Sequence, residues 1–107
     1  MVDQRTRARV SAQVAARLLV AGQELAGVVE DVSPRGLFLR TGHSAAVGAE
    51  GRIVLGLPDG ELELVVRVVR VAASPRCGVA VVVVGVSRSL ANFVMRCHAE
   101  AARRAAE

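Results

Sequence analysis

Lysine, tryptophan and tyrosine are all absent from this 107-residue chain, and phenylalanine occurs twice, at Phe38 and Phe93. Without lysine there is no Walker A phosphate loop, no Schiff-base chemistry and no kinase-type phosphate lysine, although Gly42, Gly48 and Gly51 make one region glycine-rich. Two aromatic residues give few platforms for stacking bases, which argues against a non-specific nucleic-acid binder despite a sequence pI near 10.9. Histidine is also scarce. His43 falls in an expected loop and His98 on an expected helix, with no HExxH pattern and no carboxylate at metal-ligand spacing, so no metal site is expected.

Cysteine occurs twice, at Cys77 and Cys97, without a CxxC pair, and both are expected to be reduced core thiols. The segment Gly85-Val86-Ser87-Arg88-Ser89 lacks the second glycine of a nucleophile elbow, and Ser87 suits the start of a helix better. No catalytic constellation is found, and no enzyme activity is expected. The N-terminus has charges but no apolar core behind them, so it does not read as a signal peptide. The longest uncharged run, from Cys77 to Ser87, is too short to span a bilayer. A soluble cytoplasmic protein is the expectation.

What is present is a chain that is 52% hydrophobic, with 14 cations, all arginine, and a net charge of +4. One domain with one core fits that length. The arginine bias has two explanations that composition alone leaves open. One is a compositional preference for Ala, Val and Arg. The other is selection for a planar donor fork that matches phosphates and the guanine Hoogsteen edge.

Periodicity predicts strands followed by one helix. Val10, Ala12, Val14, Ala16, Leu18 and Val20 alternate as the inner face of a half-buried strand. A turn at Ala21 to Glu24 precedes an apolar run from Leu25 to Val32, and a short strand is expected from Leu37 to Thr41. Residues 42–50 read as loop. Pro58-Asp59-Gly60 marks a hairpin between two long strands, the second with Leu62, Leu64, Val66 and Val68 facing inward. The run from Cys77 to Gly85 is apolar on both faces and reads as a central strand. From Ser87 the period changes: Leu90, Phe93, Val94 and Cys97 form one helical stripe, with Ser87 or Ser89 as N-cap and Arg103 and Arg104 in the last turn. The fold class is therefore mostly β: a six-stranded antiparallel β-barrel over residues 10–85 and a C-terminal α-helix over 87–106, behind an arginine-bearing leader of residues 1–9.

Two motifs stand out against this frame. Arg5 and Arg9 form RxxxR just ahead of the first strand, and Asp31, Ser33 and Gly36 form DxSxxG some twenty residues later, across one hairpin. By itself, Asp31-Val32-Ser33-Pro34-Arg35-Gly36 reads as a tight turn whose closing glycine takes a positive φ. The pair of motifs, with the "GLFLRT" strand, the "LPDG" hairpin and "CGVAVVVV" leading into "SRSLANFV", resembles the PilZ domain from about Arg5 to His98.

That resemblance implies binding of cyclic di-GMP, a second messenger of two guanosines closed by two phosphodiesters, and no other cofactor. Arg5 and Arg9 would wrap the ligand, one forking onto guanine O6 and N7, the other meeting a phosphate or a base face. Asp31 would accept from guanine N1–H and the exocyclic amine, Ser33 would bond a phosphate oxygen, and Gly36 would let backbone amides approach. Two departures from the family pattern matter. Arg35 stands where the family often has a first glycine, which either stiffens the loop or adds a phosphate contact, the latter being favoured. The last strand carries valines where relatives commonly place an aromatic. Arg7 is equally suited to solvent and to ligand.

The chain ends with this domain, so the resemblance implies output through an effector protein in trans, as monomer or homodimer. The leader is expected to be mobile until ligand orders it against the barrel. A second expectation is a PilZ-fold interaction module, of the kind found in motility and pilus regulation, that does not bind the nucleotide.

Overall fold

A computed structural model describes residues 9–73 and 75–106. Six strands, β1 (Val10–Val20), β2 (Gln23–Ser33), β3 (Gly36–Arg40), β4 (Glu50–Leu57), β5 (Gly60–Ala72) and β6 (Gly78–Val83), are followed by one helix, α1 (Arg88–Ala106). The strands close into a barrel in the order β1-β2-β3-β6-β5-β4, and every pairing is antiparallel. Closure leaves no unpaired edge, which removes the aggregation hazard of an open sheet.

The alternation expected for β1 is present: Val10, Val14, Ala16, Leu18 and Val20 are buried, and Ala12 packs against the same core. β5 buries Leu64, Val66 and Val68, and Leu25, Val29, Val32, Leu37, Leu39, Ile53, Leu55, Val79 and Val81 complete the interior. Fully burying an aliphatic side chain of this size contributes about 1.5 to 3 kcal/mol, so the lumen is the main source of stability. Leu90, Phe93 and Val94 of α1 join that cluster as the helix packs against β1 and β2. The helix begins at the expected cap: the Leu90 backbone N–H donates to Ser87 Oγ at 3.1 Å.

Several expectations are corrected. β2 begins at Gln23, because Ala21 and Gly22 alone make the turn with φ of 51° and 75°, a two-residue hairpin of the primed kind. β6 holds the central position expected of it, between β3 and β5, and only one of its two apolar faces is buried. Val79 and Val81 face the lumen while Val82 and Val84 meet solvent, because a single-layer barrel dries only one side of each strand. Cys77 is exposed and so is not a core thiol; Cys97 is half-buried, and both are free. Burial pushes the Cys97 thiol above its ordinary range, with Glu100 adding to the effect.

Gly36 does not take a positive φ. A Cβ there would lie 2.7 Å from the Val81 carbonyl oxygen, so glycine is required by the close approach of β6. The turn itself is shorter than the motif. Asp31, Val32 and Ser33 already belong to β2, leaving Pro34 and Arg35 as the connection.

Candidate functional site

Register explains how the motif residues meet. Val10 pairs with Val32, which sets Arg9 at the level of Ser33 on the neighbouring strand. Asp31 pairs with Phe38, Phe38 with Ala80 and Ala80 with Arg70, a straight row across β2, β3, β6 and β5. Both ends of that row sit beside a β-bulge, at Glu30 in β2 and Val69 in β5. A bulge breaks the strict alternation of side chains, so Glu30 and Asp31 both reach the outer face while Val29 and Val32 stay in the core.

The outer wall there holds a cavity of about 670 Å³. Arg9, Asp31, Ser33, Arg35 and Gly36 line it, so five of the six residues nominated from sequence come together; the sixth, Arg5, lies outside the described residues. Four arginines line the cavity, Arg9, Arg35, Arg70 and Arg76, against one carboxylate, Asp31. Such an excess of guanidinium favours an anionic occupant.

Ser33 organises the turn. Its Oγ accepts from the Gly36 N–H at 3.1 Å and the Arg35 N–H at 3.4 Å, and donates to the Gly36 carbonyl at 3.3 Å. The Arg35 carbonyl accepts from Val83 N–H at 2.8 Å, extending the β3–β6 ladder beyond the turn. Arg35 is thereby fixed at the backbone while its side chain remains exposed.

Arg76 was not anticipated from sequence. It lies in the β5–β6 connection and donates through Nε to Glu30 at 3.0 Å and through a terminal nitrogen to Asp31 Oδ2 at 2.7 Å. The bonds to Asp31 and then Glu30 hold this guanidinium above the ordinary arginine range. Arg40 meets the other Glu30 oxygen at 3.2 Å. The Arg76 guanidinium also lies 4.2 Å from the Phe38 ring centroid, with Arg70 at 5.9 Å. Phe38 points away from the lumen and is absent from the core cluster, yet it is only 6% exposed. Gly78 makes room for it: a Cβ at that position would lie 2.5 Å from the ring. A guanidinium over a ring at this distance contributes about 1 kcal/mol when partly solvated. One signal was legible beforehand, since Ser-Pro-Arg occurs at both Ser33-Pro34-Arg35 and Ser74-Pro75-Arg76.

A second cavity of about 510 Å³, between the β4–β5 turn and α1, contains none of the nominated residues. Among the described residues, no three His, Cys, Asp or Glu side chains are grouped closely enough to hold a metal ion. No described helix is long and apolar enough to cross a membrane.

The family model described as PilZ domain matches residues 3–96. The chain belongs to the PilZ family. Among solved structures, the Bacillus subtilis inhibitor of motility, MotI/DgrA, is similar at 14% identity with a TM-score of 0.69 over 90% of this chain. The present chain spans only 50% of that protein. The PilZ domain of CeSA from a cellulose-synthesising bacterium is similar at 22% identity with a TM-score of 0.61, over 82% of this chain and 91% of the other. At these identities the likeness is one of fold. No curated protein matches by sequence. PilZ is a family of cyclic di-GMP receptor and adaptor domains, and no catalytic family is indicated.

Proposed function

We propose that this PilZ domain is a cyclic di-GMP receptor of the cytoplasm that passes the signal to a partner protein in trans. The observation that carries this reading is the meeting of Arg9 with Asp31, Ser33, Arg35 and Gly36 around one cation-rich cavity. Two phosphodiesters need cations at two places, and Arg9 and Arg35 supply them from neighbouring segments. A guanine needs an acceptor for its N1–H and amine edge. Asp31 supplies it, since Oδ2 is bonded to Arg76 while Oδ1 has no hydrogen-bond partner among the described residues. Arg5, four residues ahead of Arg9, would add a second clasp from the leader, and drawing the leader onto the wall would present the partner with an altered surface.

Calorimetric titration with cyclic di-GMP, with GTP and the linear dinucleotide as controls, tests the reading. Binding at micromolar strength or tighter, lost in Arg9→Ala and in Asp31→Ala, supports it; absence of heat from the wild-type protein overturns it. One observation favours a second reading, a PilZ-fold interaction module in motility or pilus regulation without the nucleotide. Asp31 and Ser33 are already bonded within the protein, to Arg76 and to the turn backbone. That reading predicts a folded protein with no nucleotide affinity that retains a partner in pull-downs.

A further inference from the structure

Resting on the cyclic di-GMP reading, we propose that Arg76, which belongs to neither motif, is a further ligand arginine, and that it binds a guanine by its flat face rather than by its N–H edge. The argument starts from which parts of this guanidinium are committed. Nε and one terminal nitrogen donate to Glu30 and Asp31, so the in-plane donors on that side are saturated by carboxylates. Two nearby negative charges also offset its own positive charge, which leaves Arg9, Arg35 and Arg70 as the better cations for phosphate. What Arg76 still offers is a rigid planar surface.

The ring below it makes that surface the one a ligand meets. Phe38 is covered, and the side chain of Arg76, 50% exposed and 4.2 Å from the ring centroid, lines the cavity above it. A base entering the cavity therefore stacks on the guanidinium, completing a sandwich of phenyl ring, guanidinium and purine. The two carboxylates fix the plane in advance, so little side-chain freedom is lost when the base arrives. The same base, lying over Arg76, has its donor edge beside the carboxylate that Arg76 holds.

The test is titration of Arg76→Ala and Arg76→Lys with cyclic di-GMP at low and high salt, beside the wild type. Lysine keeps the charge and can reach Glu30 and Asp31, but it has no flat face. The expected result is a loss of about ten-fold in affinity for alanine, the scale of one base stack, and nearly as much for lysine, unchanged between the two salt concentrations. Lysine binding like the wild type means that Arg76 only positions Asp31, and an alanine deficit that vanishes at high salt means that it acts as a charge; either overturns the proposal. Tighter binding by the alanine variant makes Arg76 a competitor for Asp31 and overturns it as well. Wild-type binding with both variants unaffected sinks this inference alone, whereas a wild type that does not bind sinks the receptor reading and this inference with it. The Arg76 side chain is half exposed, and Glu30 keeps Arg40 when Arg76 is replaced, so the variants are expected to unfold within a few degrees of the wild type.

Discussion

Two stretches of the same barrel wall treat charge in opposite ways. On the outer face of β1, β4 and β5, each arginine meets an acid carried by a nearby strand: Arg17 with Glu24 and Glu61, Arg52 with Glu63, and Arg67 with Glu50. On the face formed by β2, β3, β6 and the bulged part of β5, Arg9, Arg35 and Arg70 make no ion pair among the described residues, while the two acids there are already taken, Glu30 by Arg40 and Arg76 and Asp31 by Arg76. Both stretches belong to the same closed antiparallel barrel. What separates them is the pair of bulges and the covered ring of Phe38, which gather more cations on one side than its two acids can match. A paired surface is a solvated wall; an unmatched one has affinity left for an anion.

The strongest way to break this comparison is to exchange the two faces in a binding assay. Arg9→Ala is expected to remove cyclic di-GMP binding, while Arg52→Ala leaves it unchanged; equal losses from both would mean that overall basicity, not the cavity, holds the ligand. Next in size is Gly78→Ala. Its Cβ would strike the Phe38 ring and the Leu39 carbonyl oxygen, both at 2.5 Å, and overpacking of this kind costs about 1 to 3 kcal/mol in a urea melt. An unchanged midpoint would show that the ring is not seated on β6. A smaller change, and a favourable one, is expected at the β1–β2 hairpin on the paired side. Ala21 holds a φ of 51° without a side chain suited to it, so Ala21→Asn should stabilise by about 1 kcal/mol in the same melt. Smallest is the stability effect of Arg52→Ala: its ion pair to Glu63 spans 3.9 Å with both partners more than half exposed, so under about 0.5 kcal/mol is expected.

Local pattern reached far into this fold. The period-two runs of β1 and β5 and the stripe of Leu90, Phe93 and Val94 named the lumen residues correctly, because alternation and helical repeat are properties of adjacent positions. The same logic placed β6 as a central strand but left its outer face undetermined. A run of valines looks identical whether a second layer covers its far side or water does, and only the closed single-layer barrel decided for water. Taken as a turn, the motif calls for a positive φ at Gly36, whereas the constraint there is close approach to the Val81 carbonyl, which belongs to a strand more than forty residues away. Cys77 was assigned to the core on residue type, yet its position in the β5–β6 connection exposes it.

The candidate site divides along the same line. RxxxR and DxSxxG were readable because each is a short spacing written along the chain, and the sequence by itself determined the strand periods, the capped helix, the arginine excess and those two motifs. Only the tertiary structure decided that Arg76 and Phe38 join them. Their contact with Asp31 depends on two bulges and on the register of four strands, and register is set by which side chains the closed barrel can bury together. A guanidinium placed over a ring from a distant connection leaves no regular spacing in the chain, because the distance that matters there runs across the ladder and not along it.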